Sequence, residues 1–370
     1  MNEHLVLVGT GHAHLTTLAN LREFLDLGAK VSVISPSKHH YYSGMGPGML
    51  SGMFLPREAR FKVKKMSETQ GARFILDKAV NVNPHENQII LESGKVIEYD
   101  LASFNVGSKI SGKGLANEEE NVIPVKPVEN LYHAREKILI MSEKKELSFA
   151  IIGGGAAGTE ITGNLHAFLK ETDIDGAISL ISDEPLLSKY PKTVRKYAKD
   201  SLQERGVRIM EDVKVSSVGE TKLQLEDGTS MRYDLIFLAT GVRPSPLFKE
   251  SGMEVGESIS ESGALCVNSC LQSMKYPNIF GGGDCIHFVP RPLDKVGVYA
   301  VRENPVIFKN LLNSLQGKKL VEFKPQSKYL LILNTGDGKG IGWRGKWVLK
   351  GRFPLFVKKF IDKRFMKKFH

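Results

Sequence analysis

Two glycine-rich loops have the residue types and the spacing that bind dinucleotides. The clearer one is a complete GxGxxG between a predicted strand and a predicted helix, with Gly153, Gly155 and Gly158 as its glycines. The first glycine of this pattern makes a tight turn, the second lets the backbone approach a pyrophosphate, and the third lets the helix pack closely on the strand. Together with Glu160 in the next turn and Gly241 at the end of a later strand, these glycines form the predicted NAD(P)H-binding set.

The loop nearer the N-terminus departs from this pattern. Gly9 and Gly11 occupy the first two positions of GTGHAH, but His14 replaces the third glycine. Either the helix stands further from the strand, or the imidazole fills the gap. His12 and His14 offer only two ring nitrogens at a helix start, which is not a metal site without further ligands, so no metal is predicted.

The acid that commonly binds the ribose at the end of the second strand is missing from both units. Ser35 stands at that place in the first unit and Ser182 in the second. Asp183 or Glu184 is an alternative ribose ligand in the second unit. The sequence therefore leaves the choice between NADH and NADPH open.

The chain repeats this organisation once. Leu5–Leu15 and Phe149–Ile161 are each an apolar strand, a glycine-rich turn and a helix start. Each half later closes with Tyr-Asp, an apolar strand and a glycine, in Glu98–Ser108 and in Arg232–Pro244. Two β-α-β units of this kind predict an α/β fold with two Rossmann-like, doubly wound domains.

The predicted domains are discontinuous in the sequence. We assign residues 1–110 and 251–325 to an FAD-binding domain and residues 111–250 to an NAD(P)H-binding domain. The polar, proline-containing stretch 112–127 is the predicted crossover between them. Residues 326–370 form a C-terminal segment, predicted as a hairpin or short sheet followed by an amphipathic helix from about Pro354.

A third apolar run, YPNIFGGGDCIHF, supplies a second cofactor-binding segment to go with the first glycine-rich loop. A strand ending in Gly283 and Asp284, after two nucleotide units, is the pattern by which flavin reductases hold the ribityl chain of FAD. Asp284 would accept hydrogen bonds from that chain. The order of the three segments therefore predicts FAD in the first unit and NAD(P)H in the second.

Composition excludes several classes of protein. The 370 residues are 41% hydrophobic and 25% charged, which is typical of a globular chain with more than one domain. The three cysteines all lie after residue 265 and do not suggest a disulfide framework. Gly9 comes too early for a cleavable leader, and no apolar run reaches the roughly 20 residues of a spanning helix. We therefore expect a cytoplasmic protein.

Basic residues are concentrated in the C-terminal tail. Residues 344–370 contain ten lysines and arginines against the single acid Asp362, in a chain whose net charge is +10. A cationic helix with phenylalanines on one face lies in the headgroup region of an anionic membrane. A tail that packs on its own body or on a partner subunit is the alternative, whereas nucleic acid is disfavoured because the aromatic residues share an apolar face. That predicted face consists of Phe353, Phe356, Val357, Phe360, Ile361, Phe365 and Phe369.

Five segments spread over nearly the whole chain carry a family resemblance: GHAHL, YYSGMGPGMLSG, GVYAVRENPVIFKNL, LNTGDGKGIG and KKFIDKRFMKKF. With them the chain resembles the two-dinucleotide-binding, pyridine nucleotide-disulfide oxidoreductase-like flavoproteins, in the branch of type II NADH:quinone dehydrogenases and sulfide:quinone reductases. It is more closely similar to the FAD-dependent oxidoreductases found alone or fused to selenophosphate synthetase.

The resemblance implies that residues 41–52 lie along the flavin, where the redox dithiol of related enzymes is absent because residues 1–265 contain no cysteine. Reduced flavin would then pass electrons directly to a planar acceptor such as a quinone. The candidates for the acceptor pocket are Tyr41, Tyr42, Met45, Tyr299 and Arg302. The expected FAD-binding residues are Gly9, Gly11, His12, Ser35, Gly44, Gly107, Gly283 and Asp284.

The function predicted from the sequence is an FAD-dependent NAD(P)H dehydrogenase that reduces a quinone at the inner face of the cell membrane, bound there through residues 353–370. Two alternatives stay open. One is a soluble flavin reductase for a selenium or sulfur compound, which would depend on Cys285. The other is a non-enzymatic flavoprotein that senses NAD(P)H and binds a partner through its basic tail. A homodimer also stays open.

Overall fold

A computed structural model describes residues 3–111, 119–143 and 146–369 of the chain. Its helices are α1 Leu15–Ala19, α2 Leu21–Asp26, α3 Gly46–Leu50, α4 Val63–Glu68, α5 Asn130–Met141, α6 Ala156–Glu171, α7 Lys192–Gln203, α8 Leu247–Glu250, α9 Gly297–Leu315 and α10 Arg352–Lys368. Short 3-10 turns cover His12–His14, Ser43–Met45 and Gly283–Cys285.

The strands of the described residues are, in chain order, β1 His4–Val8, β2 Lys30–Ser35, β3 His40–Tyr41, β4 Arg60–Phe61, β5 Arg73–Leu76, β6 Ala79–Asn83, β7 Gln88–Leu91, β8 Val96–Glu98, β9 Leu101–Phe104, β10 Ser108–Ile110, β11 Val122–Pro124, β12 Leu147–Ile152, β13 Gly176–Ile181, β14 Arg208–Met210, β15 Val215–Val218, β16 Lys222–Leu225, β17 Ser230–Arg232, β18 Leu235–Leu238, β19 Val242–Pro244, β20 Leu265–Val267, β21 Ile279–Gly281, β22 Ile286–Phe288, β23 Leu331–Asn334, β24 Gly340–Arg344 and β25 Trp347–Gly351.

The first sheet is parallel and has the order β21-β9-β1-β2-β5. Its central strand β1 is buried on both faces, since Leu5, Leu7 and Val8 are at most 1% exposed. Burial on both faces explains why β1 is a continuous apolar run instead of an alternating one. Strand β21 comes from late in the chain and pairs with β9, so residues 279–281 return to the first unit.

The second sheet is built in the same way, in the order β11-β18-β12-β13-β14, and all its pairs are parallel. Each unit also carries a three-stranded antiparallel sheet inserted before its last central strand, β6-β7-β8 in the first and β15-β16-β17 in the second. The loose internal repeat of the sequence is therefore a repeat of topology. The predicted α/β class with two doubly wound units is confirmed.

The predicted crossover 112–127 is only partly described, because residues 112–118 lie outside the described residues. Its later part contains β11, which pairs with β18 and so belongs to the second sheet. Strands β10 and β19 pair antiparallel and join the two units directly. The predicted domain boundaries stay a proposal that these pairings support.

The C-terminal segment forms the antiparallel sheet β23-β24-β25 followed by α10. Helix α10 begins at Arg352, two residues before the predicted start. The single apolar face predicted for it is wrong in part, because the helix has two apolar sides. Phe353, Phe356 and Phe360 are 65%, 66% and 57% exposed, whereas Phe369 is buried and packs on the first unit. Of the helices in the described ranges, none combines the length and the hydropathy needed to cross a bilayer.

Candidate functional site

The first glycine-rich loop packs directly against the end of β9. Gly9 has φ +82°, and a Cβ there would lie 2.3 Å from the Asn105 carbonyl oxygen. Asn105 in turn accepts from the Ala13 backbone N–H at 3.1 Å and donates to the Gly282 carbonyl at 2.6 Å. Asn105 thus joins the first loop to the Gly-Asp segment, a contact that the sequence alone did not reveal.

His14 fills the place of the missing third glycine. Its Nδ1 lies 2.7 Å from the Gly9 carbonyl oxygen and its Nε2 lies 2.8 Å from the Ser103 hydroxyl, and the residue is fully buried. Burial lowers the pKa of His14 to about 4, so the ring is neutral. Of the two expectations for this position, the imidazole filling the gap is the one that the structure shows.

Asp284 lies in a compact polar cluster. The Ser108 hydroxyl and the Lys126 ammonium each donate to Asp284 Oδ2 at 2.7 Å, and Lys126 also donates to Ser108 at 2.7 Å. Burial opposes ionisation of Asp284, but the Lys126 charge and the two hydrogen bonds hold its pKa below the ordinary value. Neither Lys126 nor Ser108 was predicted to belong to the site: Ser108 ends a segment predicted to contain a strand, whereas Lys126 lies in the predicted crossover, where nothing in the sequence singled it out.

A cavity of about 680 Å³ connects these groups. Seven of the eight residues predicted to bind FAD line it: Gly9, Gly11, His12, Ser35, Gly107, Gly283 and Asp284. Gly107 has φ +71°, and a Cβ there would point into open space instead of into protein. A cavity of this size with a glycine cradle at one point and an ionised aspartate at another fits FAD.

Gly44 differs from the other predicted FAD ligands. It does not line this cavity; its carbonyl accepts from Lys358 Nζ at 2.8 Å, and a Cβ at Gly44 would lie 2.9 Å from the ring of Tyr42. Gly44 was expected to lie close to the cofactor. In the structure it lies close to Lys358 of α10 and to the ring of Tyr42. The glycine is therefore needed for protein packing.

The acceptor-pocket candidates are not brought together. Tyr41 lines the large cavity, but Met45 is 1% exposed in the core, and Tyr42 packs beneath α10 on Phe365. Tyr299 lines a small cavity of about 70 Å³ that adjoins the large one at Gly283 and Asp284, and Arg302 is exposed on α9. Of these five predicted residues, Tyr41 alone lines the large cavity.

The second glycine-rich loop resembles the first at its first glycine and is more open at its second. Gly153 has φ +121°, and a Cβ there would lie 2.3 Å from the Ala239 carbonyl oxygen. A Cβ on Gly9 would lie at the same distance from the Asn105 carbonyl oxygen. Helix α6 begins directly after Gly155, so its free N–H groups face the space beyond the loop. A Cβ on Gly155 would meet no atom within 4 Å. This open approach to a helix N-terminus is what a pyrophosphate requires.

Glu160, which is predicted to bind NAD(P)H, makes a hydrogen bond to the C-terminal segment. Its Oε1 accepts from the Asn334 backbone N–H at 2.7 Å, and the Lys358 ammonium lies nearby. Burial raises the pKa of Glu160. Lys358 also pairs with Asp362 at 3.3 Å, and Asp362 lies beside the Tyr42 hydroxyl. Glu160 therefore joins α6 of the second unit to β23 of the C-terminal segment.

The three cysteines, all within the described ranges, are free thiols. Cys285 is fully buried next to Asp284, where its Sγ donates to the carbonyls of Gly282 at 3.3 Å and Phe104 at 3.5 Å. Burial raises the pKa of Cys285 to about 11, which suppresses the reactive thiolate. The geometry thus gives Cys285 a packing role.

Glu303→Gln is expected to flatten the pH dependence of stability. Glu303 is 2% exposed and accepts from the Gly283 backbone N–H at 2.5 Å, and burial raises its pKa from 4.5 to about 7. Between these values the folded state binds a proton that the unfolded state does not, so the free energy of unfolding falls as the pH rises, by about 3 kcal/mol at most. Urea denaturation of the flavoprotein at pH 5 and pH 8 measures the change in the free energy of unfolding. Glutamine keeps the oxygen that accepts from Gly283, so the variant removes only the titration. The same change with pH in Glu303→Gln as in the unmodified protein would contradict the prediction.

Comparison with known proteins assigns this architecture to a family. The profile of the pyridine nucleotide-disulphide oxidoreductases matches residues 3–303, well over half of the chain. The chain belongs to this family. The predicted superfamily is thereby confirmed, as is the predicted cofactor class of FAD and a pyridine nucleotide.

Two curated relatives and one solved structure are similar to the chain over nearly the whole length of both partners in each comparison. The chain is 27% identical to ferroptosis suppressor protein 1 of Xenopus tropicalis, over 97% of this chain and 92% of that protein. It is 24% identical to a type II NADH:quinone oxidoreductase of Staphylococcus aureus, over 97% and 94%. The solved structure of NDH2 from Plasmodium falciparum with NADH shares the fold, with a TM-score of 0.82 at 16% identity over 99% of this chain and 96% of that one.

Proposed function

We propose that this protein is an FAD-dependent NAD(P)H:quinone oxidoreductase that works without a redox dithiol. The main support is a cavity whose lining includes the rings of His12, His40 and Tyr41 and no cysteine of the described residues, together with two glycine-rich loops whose first glycines both closely approach a carbonyl at the end of a strand. The similarity to a type II NADH:quinone oxidoreductase over nearly the whole of both chains supports the same acceptor class.

The residues of the chain have separable tasks in this function. The Gly153 loop and the N-terminus of α6 bind the nucleotide phosphates, and Gly241, whose Cβ would meet no atom within 4 Å, leaves room beside them. The Asp284 cluster with Ser108 and Lys126 orients the flavin chain. FAD, when bound, supplies the two-electron chemistry between nucleotide and acceptor.

The assay that tests this function follows NADH or NADPH consumption and quinol formation together under nitrogen, with a short-chain benzoquinone as acceptor. One quinol per nucleotide oxidised is expected. Consumption of nucleotide without quinol, or turnover of a selenium or sulfur compound that Cys285→Ala abolishes, would replace the proposed acceptor. Reduction of the flavin with no turnover of any acceptor would favour the NAD(P)H-sensing alternative.

We further propose that the enzyme binds the inner face of the cell membrane through the outer side of α10 and β25. Phe353, Phe356 and Phe360 are exposed there together with Trp347, which is 81% exposed, and Leu349. The exposed residues Lys363, Arg364, Lys367 and Lys368 of α10 supply positive charge. Exposed rings beside cations match the headgroup region of an anionic bilayer.

Replacing Phe353, Phe356 and Phe360 by serine is expected to lower binding to anionic phospholipid vesicles at least about a hundredfold, because each ring loses about 1.5 kcal/mol or more of apolar burial. Co-sedimentation with vesicles measures the partition coefficient. The matched control replaces Leu76, Val96 and Ile140, which are also exposed but lie on other faces. Equal losses in both triple variants, or none in either, would remove this surface as the membrane contact.

A further inference from the structure

One cation in the wall of the large cavity has no acidic partner. Lys295 lies just before α9, is partly buried, and lines both the large cavity and the small one that adjoins it. Its ammonium donates to the Ile286 carbonyl oxygen and makes no ion pair with a carboxylate of the described residues. Because an ammonium has three protons to donate, two of them remain for groups in the cavities.

The other lysines that line the large cavity are either paired or in solvent. Lys78 and Lys126 each pair with a carboxylate, at 3.0 and 2.7 Å, and Lys109 is exposed. Lys295 differs from them because it is withdrawn from solvent without a carboxylate to neutralise it. Taking a charge out of water costs free energy, which an anionic group bound beside it would offset. The cavity wall is therefore suited to negative charge at Lys295.

Two carboxyl groups in the neighbourhood of Lys295 already have other donors. Asp284 accepts from Ser108 and Lys126 at 2.7 Å, and Glu303 accepts from a backbone N–H at 2.5 Å. Burial lowers the pKa of Lys295, and neighbouring acidic groups, among them Asp284 and Glu303, act in the opposite direction. An anion in the cavity would add to the effect of these acids and hold the ammonium in its charged form.

The order of the binding groups along the cavity indicates which part of FAD lies at Lys295. The phosphates belong at the Gly9 loop, and the adenosine belongs toward the end of β2, as in dinucleotide-binding units generally. In the proposed function Asp284 orients the flavin chain, so the flavin ring takes the part of the cavity that remains. Ser43 and Gly297 also line the cavity, and a Cβ on Gly297 would lie 3.6 Å from the Ser43 hydroxyl oxygen. Lys295 precedes Gly297 by two residues, at this remaining part.

We propose that Lys295 donates to the pyrimidine end of the flavin ring and stabilises its reduced form. The inference rests on the proposed function, in which NAD(P)H gives a hydride to FAD and leaves as NAD(P)+. A hydride carries two electrons and one proton, so the flavin gains one negative charge, which is spread over N1 and the C2 carbonyl oxygen. A fixed ammonium at this end neutralises the added charge, and the bound FAD becomes easier to reduce.

The test measures the reduction potential of the bound flavin and uses neither nucleotide nor quinone. Lys295→Met and Lys295→Gln remove the charge, Lys295→Arg keeps it, and Lys309→Met, at an exposed position of α9, is the control for the loss of one positive charge. Each flavoprotein is reduced slowly with dithionite under nitrogen against a redox dye of known potential. A parallel titration uses sulfite, which adds to flavin N5 and leaves the same negative charge on the ring. The absorbance spectrum checks that each variant is folded and loaded.

We expect the two neutral variants to lower the equilibrium constant for two-electron reduction of the flavin at least about tenfold, which is about 30 mV in potential. Sulfite affinity should fall by a similar factor. Lys295→Arg should keep most of both, and Lys309→Met should match the unmodified protein. Unchanged potential and sulfite affinity in the neutral variants, as expected if the ammonium faces only the small cavity, would overturn the inference while the proposed function stands. Equal shifts in Lys295→Arg and Lys295→Met would also overturn it, because the charge would then have no part in the effect.

The same proteins separate this inference from the proposed function. A flavin whose potential depends on the charge of Lys295, but which neither NADH nor NADPH reduces or a short-chain benzoquinone does not reoxidise, would overturn the proposed function and leave the flavin contact in place.

Discussion

Gly155→Val is expected to weaken NAD(P)H binding about a hundredfold, which corresponds to about 2.7 kcal/mol. The Cβ of residue 155 would point into open space at the start of α6, so the substitution leaves the fold unstrained. The same space is where the nucleotide phosphates must approach the helix N-terminus, so the valine methyl groups would displace them. Titration of the flavin absorbance with NADH and NADPH measures the effect.

The control for this prediction is Gly219→Val, in the hairpin between β15 and β16. A Cβ there would come no closer than 3.7 Å to another atom, so this variant also folds without strain. FAD content should be unchanged in both variants, because Gly155 belongs to the second unit. A Gly155→Val protein that binds NADH as tightly as the control would show that the nucleotide enters elsewhere.

Asp284→Ala is expected to abolish stoichiometric FAD binding. The carboxylate is one of the two partners of the Lys126 ammonium, and its removal leaves that partly buried charge with Ser108 alone. Losing both the flavin contact and the ion pair corresponds to about 3 kcal/mol or more, at least a hundredfold in FAD affinity. Equilibrium dialysis of the apoprotein against FAD measures the affinity.

Asp26→Ala provides the control for Asp284→Ala. Asp26 lies in the same unit and also pairs with a cation, Arg22, but its side chain is 60% exposed and such pairs contribute little. FAD affinity equal to that of the unmodified protein is expected. Asp284→Asn should retain part of the affinity, since it keeps one acceptor oxygen. Full FAD occupancy in Asp284→Ala would remove Asp284 from the cofactor site.

Most of the fold was predictable because it follows from backbone rules that act locally. About ten residues of sequence contain the strand, the glycine that must adopt positive φ and the start of the helix, as around Gly9 and Gly153. The Gly-Asp segment was predictable in another way, since it follows β21, which pairs with β9 over a sequence distance of more than 170 residues. Its place in the order of motifs, and not any pairwise signal, carried the prediction.

The contacts that decide how the site works were not predictable, because they join distant residues through side chains. Nothing near Lys126 in the sequence points to Asp284, and nothing near Gly297 points to Ser43. Glu160 has the spacing of a nucleotide ligand, yet its partner is the backbone of Asn334. Helical spacing in the tail identified its apolar residues but did not show that Phe369 faces the body while Phe356 faces outward.

The central claim is that one flavin accepts electrons from NAD(P)H and gives them to a quinone with no thiol between them. A double-mixing experiment under nitrogen tests it, in which the flavin band at about 450 nm is followed after NADH or NADPH and again after a short-chain benzoquinone. We expect rapid bleaching by a nucleotide and full recovery on quinone, both unchanged in a variant with all three cysteines replaced by alanine. A flavin that stays oxidised with both nucleotides, or recovery that requires a cysteine, would contradict it.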